Sequence, residues 1–115
     1  MSELTIWHNP RCSKSRQTLA LLVERGLDPI VVDYRNTPPT VAQLGDVLAK
    51  LRLEPINIMR RKDALFSDLG LSDTDTPDQL IAQMAAHPML IERPIVISGD
   101  KARIGRPPQA VLEIL

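Results

Sequence analysis

Apolar and polar positions set two periods along this chain. Leu4 to His8 mixes Leu, Thr, Ile and Trp before Asn9-Pro10, which predicts a short, largely buried strand ended by a turn. From Ser13 to Arg25 the spacing becomes helical: Leu19, Leu22 and Val23 share one face, Ser15 and Thr18 are polar, and Gly26 fits the position just past a helix end. Pro29 then introduces the β-branched run Ile30-Val31-Val32-Asp33-Tyr34, a second strand. A helix between two strands makes a β-α-β unit, so the two strands are expected to be parallel.

Asn36-Thr37-Pro38-Pro39-Thr40 reads as a turn, with Thr40 capping a helix that carries Val41, Leu44, Val47, Leu48 and Leu51 on one face. Between Glu54 and Leu71 short apolar groups surround Arg60-Arg61-Lys62. Thr76-Pro77-Asp78 opens another amphipathic helix, bearing Leu80, Ile81 and Met84, that stops near His87-Pro88. Pro94-Ile95-Val96-Ile97, the turn Ser98-Gly99-Asp100, and Lys101-Ala102-Arg103-Ile104 form a hairpin. Pro107 to Leu115 is expected to close the chain as a helix. The fold class is therefore α/β, with a four-stranded mixed sheet in thioredoxin-like order: β-α-β, a helical insertion at about 40–88, a β-hairpin and a C-terminal helix.

Composition narrows the picture. A chain of 115 residues is one domain of ordinary size, 1–115. Lys plus Arg equal Asp plus Glu at 14 each, so no global field recruits nucleic acid or an anionic membrane, and any basic site is local. No segment approaches the roughly 18 apolar residues of a membrane span, and MSELTIWHNP is not a secretory leader. The expected location is the cytoplasm. The single cysteine agrees, because a lone thiol persists most readily in a reducing compartment.

That cysteine carries the candidate chemistry. Cys12 falls where the first strand ends and the first helix begins, where unpaired backbone N–H groups and the helix dipole favour an anion. A thiol there ionises more readily, and Arg11, Lys14, Arg16, Ser13 and Ser15 add charge and hydroxyl groups nearby. Two related thiol chemistries fail on spacing. Position 15 is Ser, which removes a Cys-x-x-Cys redox pair, and position 18 is Thr rather than the Arg of a Cys-x5-Arg phosphatase loop. A lone nucleophilic thiol must borrow its second thiol from another molecule. His87 reads as a helix-end residue, and no ligand-spaced cluster surrounds it, so no metal is expected.

The run His8-Asn9-Pro10-Arg11-Cys12-Ser13-Lys14-Ser15-Arg16 resembles the signature of the ArsC-type, glutaredoxin-dependent arsenate reductases, His-Asn-Pro-x-Cys-x-x-Ser-Arg. Arg61-Lys62, His87-Pro88, Glu92-Arg93-Pro94-Ile95-Val96 and Gly105-Arg106-Pro107 resemble later segments of the same family, most closely its short YfgD-like branch. The resemblance implies that Cys12 is the nucleophile, that Ser15 hydrogen-bonds its thiolate, and that Arg61, Arg93 and Arg106 bind an oxyanion. Alignment on Lys62 selects Arg61, with Arg60 the adjacent alternative. Pro94 resembles the cis-proline set opposite the cysteine in such folds. His8 would either tune the thiolate or remain a neutral strand-end residue.

The implied activity is thiol-dependent reduction of arsenate to arsenite through a covalent Cys12 adduct, in arsenic detoxification. Glutathione serves as co-substrate, glutaredoxin as partner, and no cofactor is bound. A monomer is expected. The alternatives are reduction of another oxyanion or of glutathione mixed disulfides, and an Spx-like polymerase-binding regulator, against which the missing second cysteine argues.

Overall fold

The computed structural model describes residues 4–72, 74–91, 94–105 and 107–115. Four strands, β1 (Leu4–His8), β2 (Ile30–Asp33), β3 (Ile95–Ser98) and β4 (Lys101–Ile104), pair in the order β2-β1-β3-β4. β1 and β2 run parallel with Thr5 opposite Ile30 and His8 opposite Asp33, as a β-α-β unit requires. β3 is antiparallel to both β1 and β4, so the sheet is mixed. The β3–β4 turn is Gly99-Asp100, where Gly99 takes φ +61° without a Cβ penalty. This is a thioredoxin-like α/β fold, as the element order predicts.

The chain divides into two compact units, Met1–Thr37 with Arg93–Leu115, and Pro38–Glu92. The first holds the sheet and helix α1 (Ser13–Glu24), whose end is marked by Gly26 at φ +76°. Ile6, Leu22, Val96, Val111 and Ile114 form its core, with Leu4, Leu19, Leu21 and Leu27 packed around them. The second unit is helical. Helix α2 (Val41–Leu51) begins with a full capping box: Gln43 N–H donates to Thr40 Oγ1 at 3.1 Å and Thr40 N–H donates to Gln43 Oε1 at 2.9 Å. A short helix α3 (Ala64–Asp68) and helix α4 (Pro77–Ala86) follow, the latter capped in the same way by Thr76 and Gln79. Leu44, Val47, Leu48, Leu51, Leu80 and Met84 are buried there. No helix among the described residues is long and apolar enough to cross a membrane.

Two expectations need correction and a third gains detail. The terminal helix is a 3-10 helix, Pro108–Ile114. Its period of three puts Pro108, Val111 and Ile114 on one buried face, and a segment this short gains little from the wider α turn. Val23 and Val41, read as inward, are 57% and 54% exposed. In α1 the buried face is instead Ser15, Thr18 and Leu22, spaced i, i+3, i+7.

A close approach explains why that face is small and polar. Gly105 follows β4 and donates its N–H to the Pro94 carbonyl at 2.9 Å. A Cβ on Gly105 would lie 2.5 Å from Thr18 Oγ1 and 2.7 Å from Pro94 Cγ. Thr18 is fully buried and its hydroxyl donates to the Lys14 carbonyl at 2.8 Å, so it cannot easily yield. Gly105→Ala is expected to cost about 1–3 kcal/mol by overpacking. Urea unfolding measures this, and a variant as stable as the parent would mean the contact relaxes freely.

Candidate active site

The site grows from the end of β1. Asn9-Pro10 breaks the strand, and the Asn9 side chain shapes the turn, its Oδ1 accepting from Arg11 N–H at 3.0 Å. Cys12 N–H donates to the Asn9 carbonyl at 3.0 Å, and the Cys12 carbonyl accepts the first helical bond, from Arg16 N–H at 3.0 Å. Cys12 is thus the N-cap of α1, with extended backbone (φ −97°, ψ 124°) and no side-chain capping bond. It is half-buried. The first turn of α1 contains no acidic residue, so no carboxylate there competes with a thiolate for the positive helix end. Arg16 reaches back and donates from Nη1 to the Pro10 carbonyl at 2.8 Å, fastening the turn to the helix.

The same strand–turn–helix segment carries a buried polar pair. Ser15 Oγ sits 2.6 Å from His8 Nδ1 and accepts from Asn9 N–H at 3.0 Å. Ser15 is fully buried, and Asn9 and His8 are only 4% and 7% exposed, so these bonds have no water to replace them. A serine hydroxyl has one proton and two lone pairs. With one lone pair on Asn9 N–H, the His8 tautomer decides the rest. If Nε2 holds the imidazole proton, Ser15 donates to Nδ1. If Nδ1 holds it, Ser15 accepts twice and its own proton is released to a third partner.

Burial lowers the His8 pKa below its ordinary value of 6.5, opposed by the Asp33 carboxylate and assisted by the Arg16 guanidinium. His8 is therefore neutral near pH 7. The unfolded chain binds a proton at His8 more readily than the folded one, so this histidine's contribution is complete above pH 6.5 and declines as pH falls towards the lower folded value. Urea midpoints are expected to drop as the pH is lowered through 6.5, with a shallower drop in His8→Asn, whose amide can still meet Ser15. Equal slopes in the two proteins would refute the assignment.

Of the residues singled out in the sequence, the structure brings His8 and Ser15 into contact in the turn that holds Cys12. Pro94 is buried, just before β3, against the Gly105 approach. Arg61 belongs to the helical unit, where its side chain is exposed, while neighbouring Arg60 is half-buried with Nη1 3.7 Å from Asp63 Oδ2. Arg93 and Arg106 lie outside the described residues. Sequence reasoning marked Asn9-Pro10 as the turn but gave Asn9 no role in the site, where its N–H is a buried donor to Ser15. The Asn-Pro dipeptide was its signal.

A thioredoxin-like sheet with one thiol at the start of its first helix, backed by a buried serine–histidine pair, defines a class of single-cysteine thiol proteins. A model of the ArsC family matches residues 7–114, and the chain belongs to that family. It is 49% identical over 115 residues to YfgD of Escherichia coli K12, covering 98% of this chain and 97% of that one. It is 48% identical over 112 residues to an arsenate reductase of Haemophilus influenzae, covering 96% and 97% of the two chains. The solved structure of an arsenate reductase from Vibrio cholerae superposes with a TM-score of 0.96 at 48% identity, over 99% of this chain and 98% of that one.

Proposed function

We propose that this protein reduces arsenate to arsenite, with Cys12 as nucleophile and small and protein thiols as electron donors. The observation that carries the reading is the setting of Cys12 at the N-terminus of α1, with the Ser15–His8 pair beneath its turn. Relatives named arsenate reductases that align over almost the whole chain support the substrate.

In the first step the Cys12 thiolate attacks arsenic(V), forming an S–As bond and expelling hydroxide, which leaves as water. The helix N-terminus stabilises the thiolate, and in the Nδ1–H tautomer of His8 the Ser15 proton is available to the sulfur. Arg61, Arg93 and Arg106 take the oxyanion, since guanidinium forks match its oxygens and stay charged at any working pH. Glutathione then displaces a second arsenic hydroxyl. Glutaredoxin thiolate attacks the glutathionyl sulfur, so a glutathione–glutaredoxin disulfide forms, the glutathionyl S–As bond breaks, and the electron pair of that bond stays on arsenic, reducing arsenic(V) to arsenic(III). Water hydrolyses the remaining S–As bond, releasing arsenite and restoring the Cys12 thiol. The chemistry suits the cytoplasm, where thiols stay reduced.

The test is direct. Arsenite formation is measured with arsenate, glutathione and glutaredoxin present together and with each omitted in turn. Product is expected only in the complete mixture. A complete mixture that yields no arsenite removes arsenate as substrate, and glutathione disulfide production across a panel of other oxyanions then identifies a replacement.

A further inference from the structure

Next to the Cys12 turn is a cleft of about 230 Å³ lined by Asn9, Pro10, Arg11, Asp33, Arg35 and Asn36. Two loops make it, one joining β1 to α1 and one following β2. Because β1 and β2 are parallel, both loops leave the carboxyl end of the sheet, the end at which open α/β sheets take their ligands. The loops are held by bonds of their own: Asn9 Oδ1 to Arg11 N–H, Asp33 Oδ1 to Arg35 N–H at 3.3 Å, and Asp33 Oδ2 to Asn36 Nδ2 at 2.9 Å. None of these uses the Arg11 or Arg35 guanidinium, and neither is among the ion pairs formed by the described residues. Each Asp33 oxygen also keeps a lone pair.

Two guanidiniums, one carboxylate and two carboxamides around a small cleft match a short peptide with two carboxylates and one ammonium. A free oxyanion fits poorly, because it would face the Asp33 carboxylate. The cleft also adjoins the turn that carries Cys12, since Arg11 is covalently next to Cys12 and the Asn9 carbonyl holds the Cys12 amide. A protein with one cysteine needs a second thiol delivered to that position.

We infer that this cleft docks the peptide-thiol co-substrate, its carboxylates on Arg11 and Arg35 and its ammonium on Asp33. This rests on the reading that a small thiol is a reductant, and it assigns that thiol a place. The probe is S-methylglutathione, which has the charges of the tripeptide but cannot react, titrated into the isotope-labelled full chain by NMR. Saturable amide shifts are expected at Asn9, Arg11, Asp33, Arg35 and Asn36. Arg35→Gln or Arg11→Gln should each weaken binding roughly tenfold, the loss of one charge-assisted contact, and the diethyl ester of the probe, which loses both, roughly a hundredfold. In turnover, Arg35→Gln should raise KM for glutathione and leave KM for arsenate unchanged.

Shifts that map elsewhere, or inorganic phosphate moving the same amides as strongly as the probe, would overturn the assignment. The two readings fail separately. Mapped, saturable binding without arsenate turnover supports the cleft and removes the substrate, whereas turnover without mapped binding removes the cleft alone.

Discussion

Cys12→Ser should abolish arsenite formation while leaving the protein folded and slightly more stable than its parent. The loss follows from chemistry. A serine hydroxyl at this position stays protonated near neutral pH, so it cannot replace the thiolate, and no other cysteine exists in the chain to substitute for it. The gain follows from the helix end. Cys12 is the N-cap of α1 yet makes no side-chain capping bond, whereas serine is among the preferred N-cap residues and can accept from the Ser15 backbone N–H. That cap is worth about 0.5–1 kcal/mol. Thermal melts and product assays on the same preparation separate the two effects. Turnover within tenfold of the parent would place the nucleophile elsewhere, and a destabilised variant would show that the sulfur contributes packing worth more than the cap.

On the proposed reading, the cysteine at this helix end exchanges helix stability for reactivity. A better cap would hold the same backbone donors that now favour an ionised sulfur. The thiol is aided further by the absence of acidic residues in the first turn and by Arg16, which closes the turn through the Pro10 carbonyl. The surrounding structure offsets the weak cap by burying Ser15 and Thr18 against the polar turn and the glycine-lined approach.

How far the sequence reveals this depends on the kind of interaction. Strands β1 to β4 were legible because β-branched runs sit between strong breakers, and the parallel pairing followed from the intervening helix. Thr40 and Thr76 announced their helices because capping is local chemistry. The inner face of α1 was not legible. Hydrophobicity is a proxy for burial, and Ser15 and Thr18 are buried because their hydroxyls are satisfied inside the protein, by His8, Asn9 and Lys14. Val23, by contrast, is apolar and yet more than half exposed. The cysteine, its serine and its histidine were visible as a motif, but their geometry was not. A contact between residues 8 and 15 crosses strand, turn and helix, and no period relates those positions. The cleft beyond the turn was hidden for the same reason, since its two loops are joined only by strand register.

Ser15→Ala tests that hidden geometry most severely, and it should injure both fold and thiol. Removing one hydroxyl leaves two buried groups without their partner, the Asn9 backbone N–H and His8 Nδ1. Each stranded group costs about 1–3 kcal/mol, giving roughly 2–6 kcal/mol in all and a fall in Tm of about 10–30 °C. That is a large share of the 5–15 kcal/mol that typically holds a domain of this size. The amide of Asn9 should lose hydrogen-exchange protection, and the 15N shift of His8 Nδ1 should move. Cys12 should also become less reactive at neutral pH, seen as an alkylation profile displaced to higher pH. If the melt, the Asn9 amide and the alkylation profile all stay at their parental values, the serine is mere filler and the buried pair has no part in preparing the sulfur.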